Sequence, residues 1–236
     1  MLDPVVSRDG SLYVNIAQAW HDAGNFTDIP VFRDYLLPPM YFYLMKCLIH
    51  CGIPAETAGV SLSLFFGSLV PLIAYGIAWK VTRRKDIAIC SALLIAVNPS
   101  INELSIEVQR DMMYLFFAGL TILFITAWIH RQKCIFLLGT GFLCACGILT
   151  RFEMIEFFLI TPFVFAFLYI KKYCSWKNAL FSFGVFVLSF GISIYFLSLI
   201  MKTQDYLFLN YDRYFQKQVH TLNIKQLPVL EDIIQI

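Results

Sequence analysis

Long apolar segments alternate with short polar ones over most of this chain. The apolar segments cover approximately residues 58–79, 87–101, 112–129, 134–149, 155–170 and 178–201. A helix needs about 20 consecutive apolar residues to cross the hydrocarbon core of a bilayer. The second and fourth segments are shorter, which a membrane accommodates where a helix ends in a protein-lined cavity or where the bilayer thins. The pattern therefore predicts an all-α fold, a polytopic transmembrane helix bundle with about six spans.

Two shorter segments precede the first predicted span. Between Ser11 and Asp22, apolar positions recur at helical spacing, and polar side chains take the other side. The segment 40–52, MYFYLMKCLIHCG, is aromatic at its start but contains Lys46 and His50, and it is too short to span. We therefore expect interfacial helices. The predicted division is an external loop at 1–57, a transmembrane bundle at 58–201 and an external loop or tail at 202–236.

The composition indicates a membrane protein. The hydrophobic share is 59% and the charged share only 14%, far from the balance of a soluble domain. A net charge of +2 gives no dense basic face, which argues against nucleic-acid binding. The first residues have no basic stretch followed by an apolar core, so no secretory signal is expected. The seven cysteines are an odd number, and several lie in apolar runs, so we expect free thiols.

The loops between the apolar segments fall into two sets by charge. The connections KVTRRKD, HRQK and KKYCSWK carry nine lysines and arginines. The connections SINELSIEVQRD and TRFEMIE carry only Arg110 and Arg151. Because basic residues resist translocation, the first set is predicted to be cytoplasmic and the second external. The N-terminal stretch and the tail then lie outside as well.

This orientation places 15 of the 16 acidic residues outside and only Asp86 inside. Carboxylate-rich external loops, two of which carry an arginine, are typical of a site at the outer membrane surface. The same distribution also arises passively when basic residues are retained inside. Both interpretations remain open on charge alone.

Several stretches together resemble one enzyme family. RDGSLYVNIAQAWHDAGNF and LLPPMYFYLMKCLIHCGI resemble the first external loop of polyprenyl- or dolichyl-phosphate-sugar glycosyltransferases of the glycosyltransferase C superfamily, which include protein mannosyltransferase-like and aminoarabinose transferase-like members. NPSINELSIEVQRDMMYLFFAGL resembles the second external loop. GILTRFEMIEFFLI resembles the family pattern Gly-Leu-Ala-x-Leu-Thr-Arg-Pro-Glu-Gly, with Phe152 replacing proline and Met154 replacing the last glycine. The resemblance extends over residues 7 to 165 and depends on the order and spacing of motifs that are individually common.

The resemblance implies a catalytic role for Asp9, as general base or in positioning the acceptor hydroxyl. The leaving group would be a lipid phosphate, which arginine binds well. Arg110 and Arg151 are the first candidates for this role, and Arg8 is a third. The further predicted substrate-binding residues are Tyr13, Glu107, Asp111 and Glu153.

Each of these assignments has a structural alternative. Asp9 precedes an amphipathic helix and would cap its N-terminus. Arg110 has helical spacing for an ion pair with Glu107 or Asp111. Arg151 would pair with Glu153, and Arg8 with its neighbour Asp9. The sequence leaves these alternatives open.

The resemblance implies a membrane hexosyl- or pentosyltransferase that moves a sugar from a polyprenyl-phosphate donor to an acceptor protein or glycolipid. The expected location is the cell (inner) membrane, with the active face extracytoplasmic and in contact with membrane lipids. No cofactor is expected, and a divalent metal requirement is left open. The alternatives are a transporter or flippase, or a truncated, non-catalytic membrane protein. The family has more transmembrane helices on both sides, so the chain resembles a fragment, and whether such a fragment is active is left open.

Overall fold

The computed structural model describes residues 8–24, 26, 29, 37–171 and 175–203, and they form helices without any strand. The predicted tail from residue 204 onwards lies outside the described residues, as does Lys172. A short 3₁₀-helix (Phe152–Met154) precedes α8. The α-helices in chain order are α1 (Arg8–Ala23), α2 (Met40–His50), α3 (Ala55–Thr82), α4 (Lys85–Ala96), α5 (Pro99–Ile106), α6 (Asp111–Arg131), α7 (Cys134–Ile148), α8 (Ile155–Ile170) and α9 (Trp176–Met201).

The predicted membrane architecture is confirmed at the level of fold class. Four helical segments have the length and apolarity for a membrane span, namely α3, α6, α9 and the segment Phe152–Ile170. The bent pair of α4 and α5 makes a fifth if it counts as one span. The remaining predicted span corresponds to α7, which is apolar but only 15 residues long. The described chain is therefore an all-helical bundle with four to five candidate spans and one shorter apolar helix.

The second predicted segment, 87–101, is interrupted instead of continuous. Its helix ends at Ala96, and α5 begins at Pro99 with its axis turned by 54°. The Asn98 side chain accepts hydrogen bonds from the backbone N–H groups of Ser100 and Ile101, at 3.0 and 3.2 Å. Proline tolerates the first helical position, and asparagine is a strong N-cap, so this dipeptide starts a new helix.

The helices α1 and α2 pack on each other through the apolar face that the sequence predicts. Tyr13, Ile16 and Trp20 of α1 are buried. The Tyr13 ring meets Phe42 of α2 edge-on, with centroids 5.4 Å apart. At 11 residues, α2 is too short to span a bilayer. Its first backbone N–H, that of Met40, donates to the carbonyl of Leu149 at 2.8 Å, which attaches α2 to the end of α7.

Glycines set the closest helix contacts. A Cβ built on Gly141 of α7 would lie 2.8 Å from the carbonyl oxygen of Phe186 and from the backbone nitrogen of Phe190, both in α9. A Cβ on Gly67 of α3 would clash with the Ser105 hydroxyl of α5. At Gly141 the helices α7 and α9 approach each other at backbone distance, whereas at Gly67 the backbone of α3 packs against the Ser105 side chain. The register between them is therefore fixed within a fraction of a helical turn.

Successive long helices run in opposite directions, so the bundle has two chemically different ends. Helix α6 alone separates Asp111 from Arg131 by about 30 Å, given a rise of about 1.5 Å per residue. We call the end formed by residues 105–113 and 147–155, with α1 and α2 against it, the arginine end. We call the opposite end, which holds the connections at 82–85 and 131–134, the end of α8 and the start of α9, the lysine end. The two charge classes of loop therefore lie at opposite ends of the described bundle.

Candidate functional site

Arg151 is the centre of an ion-pair cluster at the arginine end. Its Nη1 donates to Asp111 at the start of α6, and its Nη2 donates to Glu153 Oε1 at 2.9 Å. Its guanidinium carbon lies 5.5 Å from the centre of the Tyr114 ring. The side chains of Arg151 and Asp111 are each 28% exposed. A partly buried salt bridge thereby joins the loop that follows α7 to the start of α6.

Arg110 lies beside this cluster but makes no ion pair within the described residues. It is the N-cap residue of α6, and its guanidinium carbon is 5.7 Å from the centre of the Tyr13 ring. Its charge interacts favourably with Glu153. The alternative pairings of Arg110 with Glu107 and with Asp111 are not observed: Gln109 Nε2 donates to Glu107, and Asp111 is taken by Arg151.

Both arginines carry a buried N–H group that lacks an acceptor among the described residues. These groups are Nη1 of Arg110 and Nε of Arg151. A buried donor on a charged group that lacks an acceptor costs about 1–3 kcal/mol or more. Guanidinium groups donate in a fixed fork that matches phosphate and carboxylate oxygens. The cluster therefore has the chemistry to take an anionic ligand.

A buried hydrogen-bond network holds the backbone next to Arg110. The Ser63 hydroxyl in α3 donates to the carbonyl of Gln109 at 2.9 Å and lies 3.3 Å from the N–H of the same residue. The Tyr41 hydroxyl donates to the carbonyl of Gly59 at 3.1 Å and lies 3.3 Å from Ser63 Oγ. Burial raises the pKa of Tyr41 well above its usual value, so it stays a neutral donor. Sequence reasoning missed Ser63 and Tyr41.

Asp9 lies in the first turn of α1 with its side chain exposed. The expectation that it precedes the helix as an N-cap is corrected, because Asp9 is inside the helix. A carboxylate in the first turn is still favoured by the helix dipole. Asp9 is four residues before Tyr13 and shares its face of α1, and the Tyr13 ring contacts Arg110. Arg8 is the first residue of α1, and its side chain lies outside the described set.

Within the described residues, no group of three or more histidine, cysteine, aspartate or glutamate side chains is arranged to hold a metal ion. Asp111 and Glu153, the two carboxylates at the centre of the site, are both engaged by Arg151.

The fold and this cluster of charged side chains define a polytopic integral membrane protein with a polar site at one end of its bundle. Comparison with protein families shows which kind it is. The family model described as dolichyl-phosphate-mannose-protein mannosyltransferase matches residues 37–198, which is more than half of the chain. The chain belongs to this family of membrane glycosyltransferases. No curated protein and no solved structure matches the chain.

The matched region contains Arg110 and Arg151 but begins after α1. Helices α2 to α8 and nearly all of α9 fall within it. Asp9 and Tyr13 precede it, so the proposed roles of these two residues depend on their position against Arg110 and on the resemblance of the first loop. The suspected family is thus confirmed, and the residue roles stay predictions.

Proposed function

We propose that this protein transfers a sugar from a polyprenyl-phosphate donor to an acceptor on the extracytoplasmic face of the cell membrane. The observation that carries the proposal is the pair of arginines at one end of the bundle, each with a buried N–H group that lacks an acceptor. The family match supports the reaction class. The donor and the acceptor, a protein or a glycolipid, belong to the proposal.

Arg110 is the main phosphate ligand in this proposal. Arg151 already pairs with two carboxylates, those of Asp111 and Glu153, whereas Arg110 makes no ion pair with a carboxylate of the described residues. A lipid-phosphate sugar is a phosphodiester with one negative charge, which a single guanidinium balances. When the bond from phosphate to sugar breaks, the leaving phosphate gains a second charge. Fixed donors from Arg110 and Arg151 favour that step because they face the developing charge.

Asp9 is the proposed general base. The acceptor hydroxyl attacks the anomeric carbon while its proton passes to the Asp9 carboxylate, and the lipid phosphate leaves with the bonding electron pair. Asp9 is exposed, so an acceptor reaches it from the water phase. A shared helix face brings it near Tyr13 and hence near Arg110. General-base assistance of this kind contributes roughly 10²–10⁴-fold.

The charge distribution in the spans does not favour the transporter alternative. A transporter binds its substrate and ions near the middle of the membrane, at ionisable side chains or broken helices. The bent pair of α4 and α5 is a broken helix, but residues 96–99 at the break include no acidic or basic side chain. In the described spans the acidic and basic residues lie in the first and last turns. Examples are Glu56 and Lys80 in α3, Asp111 and Arg131 in α6, and Lys177 in α9.

Transfer assays on purified variants in proteoliposomes test the proposal. Arg110→Ala should lower kcat/KM for the polyprenyl-phosphate donor by about 10²–10³-fold, the usual cost of losing one such donor group. Arg110→Lys should recover part of the loss, because charge returns without the planar fork. Arg84→Ala is the control, since Arg84 is exposed at the lysine end and, among the described residues, forms an ion pair with Asp86 alone. Unchanged transfer by Arg110→Ala would refute the phosphate role.

The variant Asp9→Asn tests the general-base role of Asp9 independently of the phosphate-binding role of Arg110. We expect kcat to fall by roughly 10²–10⁴-fold with little change in the KM for the donor, because the amide keeps the shape but does not accept the proton. Wild-type turnover in Asp9→Asn would remove the general-base role and leave the Arg110 result standing.

A further inference from the structure

Tyr41, in the first turn of α2, lies fully buried between two parts of the proposed site. Its hydroxyl lies 3.1 Å from the carbonyl oxygen of Gly59 and 3.3 Å from Ser63 Oγ, both in α3. Its ring meets the Tyr13 ring of α1 edge-on, with centroids 6.1 Å apart. The hydroxyl and the ring of this one side chain therefore contact different helices.

The hydroxyl of Tyr41 supports the backbone that precedes Arg110. Ser63 is fully buried, and its hydroxyl donates to the carbonyl of Gln109 at 2.9 Å. Among the described residues, the other side-chain hydroxyl beside Ser63 Oγ is that of Tyr41. The Tyr41 hydroxyl therefore helps to fix the direction in which Ser63 donates, and with it the backbone from which the Arg110 side chain projects.

The ring of Tyr41 supports α1. Tyr13 is only 7% exposed, because its ring packs against the rings of Tyr41 and Phe42 in α2. The guanidinium carbon of Arg110 lies 5.7 Å from the centre of the same Tyr13 ring. Asp9 precedes Tyr13 by one turn of α1. The contact between the two tyrosines therefore helps to hold the helix that carries Asp9 against Arg110.

These contacts close on themselves around the site. The circuit runs through five residues, namely Arg110, Tyr13, Tyr41, Ser63 and Gln109, the last of which is joined to Arg110 by a peptide bond. Buried groups pack at close to crystalline density, so a displacement at one point of such a circuit is transmitted to its neighbours. Tyr41 is the point at which the contacts with α1 and the contacts with the Arg110 loop meet.

We propose that Tyr41 is a positioning residue that couples the docking of α1 to the orientation of Arg110. The proposal rests on the proposed function, in which α1 carries the general base and Arg110 binds the phosphate. The hydroxyl acts on Arg110 through Ser63, and the ring acts on α1 through Tyr13. Because a coupling between two sites is reciprocal, a donor phosphate that fixes Arg110 also stabilises the docked position of α1.

Two substitutions at Tyr41 separate these effects in the transfer assay. Tyr41→Phe removes the hydroxyl and keeps the ring, so the KM for the donor should rise about fivefold or more while kcat stays unchanged. Tyr41→Leu also removes the ring, so kcat should fall as well, by about 10²-fold, the cost of misplacing a catalytic group by roughly 1 Å. Tyr75→Phe is the matched control, because it removes a hydroxyl from α3 outside the circuit and should change neither constant.

Hydrogen exchange of the α1 backbone amides in the full chain tests the coupling without any turnover. We expect wild-type exchange in Tyr41→Phe and exchange at least about fivefold faster in Tyr41→Leu, because docking protects these amides. Tyr13→Leu removes the same ring contact from the other helix and should also speed exchange, which keeps the test available if Tyr41→Leu does not fold. Saturating the wild-type protein with a polyprenyl phosphate should slow exchange in α1.

The outcomes distinguish this coupling from the transfer proposal. Equal α1 exchange in the wild type and in the folded ring-deletion variants would overturn the coupling, and so would an α1 that does not respond to the polyprenyl phosphate while Arg110→Ala is impaired in transfer. Loss of kcat in Tyr41→Phe to the same extent as in Tyr41→Leu would also overturn it, because the hydroxyl and the ring would then have no separate roles. Normal transfer by Arg110→Ala would instead refute the phosphate role itself.

Discussion

Ser63 and Gln109 are joined by two hydrogen bonds although 46 positions separate them in the chain. One small hydroxyl, fully buried in α3, satisfies both the carbonyl and the N–H of a loop residue. Gln109 immediately precedes Arg110. The bundle thereby fixes the backbone from which the proposed phosphate ligand projects, and the Tyr41 hydroxyl completes the network from α2.

Ser63→Ala should therefore affect both stability and donor binding. The Gln109 carbonyl loses its side-chain donor, whereas the Gln109 N–H still donates to the carbonyl of Glu107 at 2.9 Å. The unsatisfied carbonyl costs about 1–3 kcal/mol in the free energy of unfolding. Loosening of Arg110 should raise the KM for the donor more than it lowers kcat. Ser68→Ala is the matched control on the same helix, because Ser68 is exposed and bonds only to the carbonyl of Phe65. Thermal unfolding in detergent and donor titrations measure the two effects; equal behaviour of both variants would contradict the positioning role.

The salt bridge between Arg151 and Asp111 should couple the two loops at the arginine end. We expect a double-mutant cycle with Arg151→Gln and Asp111→Asn to give a coupling free energy of about 1–3 kcal/mol, as is typical of residues in direct contact. The partly buried position favours a value above that of surface pairs. The same cycle on Arg84 and Asp86 should give no measurable coupling, because that pair is mostly exposed. Independent, additive effects of Arg151→Gln and Asp111→Asn would show that the bridge does not hold the loops together.

The sequence predicts the fold class and the separation of charge because both depend on local composition. Long apolar runs specify membrane helices wherever they occur. Once the helices alternate in direction, Arg110 and Arg151 must share one end and the lysine-rich turns the other. The break at Asn98 and Pro99 also has a signal in the sequence, because a capping residue followed by proline typically starts a new helix.

The contacts within the site could not be predicted in the same way. Whether Arg151 pairs with Glu153 alone or also with Asp111 depends on the distance between α6 and α7, which no local pattern encodes. The role of Ser63 depends on the register of α3 against the loop at 107–110. A serine in an apolar run is also compatible with any polar partner along the helix. These features follow from helix packing, in which glycines allow the closest approach between helices.

Gly141 provides a test of that packing. A Cβ at this position would meet backbone atoms of Phe186 and Phe190, which cannot move aside as a flexible side chain does. Gly141→Ala should lower the free energy of unfolding by about 1–3 kcal/mol, the usual cost of overpacking. Gly184→Ala in α9 is the control, because nothing lies within 4 Å of its Cβ position. There the gain in helix propensity should leave stability unchanged or raise it by up to about 1 kcal/mol. Thermal unfolding of both variants decides the point, and a neutral Gly141→Ala would mean that α7 and α9 lie further apart.

The orientation of the bundle is open to a direct labelling test, because native cysteines mark its two ends. Cys51 is exposed where α2 ends, at the arginine end, and Cys134 is exposed at the start of α7, at the lysine end. Since basic loops resist translocation, a membrane-impermeant maleimide should label Cys51 but not Cys134 in intact cells, and the reverse in inverted vesicles. Each cysteine is tested alone in a variant that lacks the others, with a cysteine-free chain as the background. The opposite pattern would place Arg110 and Arg151 in the cytoplasm and remove the extracytoplasmic site, whereas labelling of both from one side would contradict the separation of the two ends.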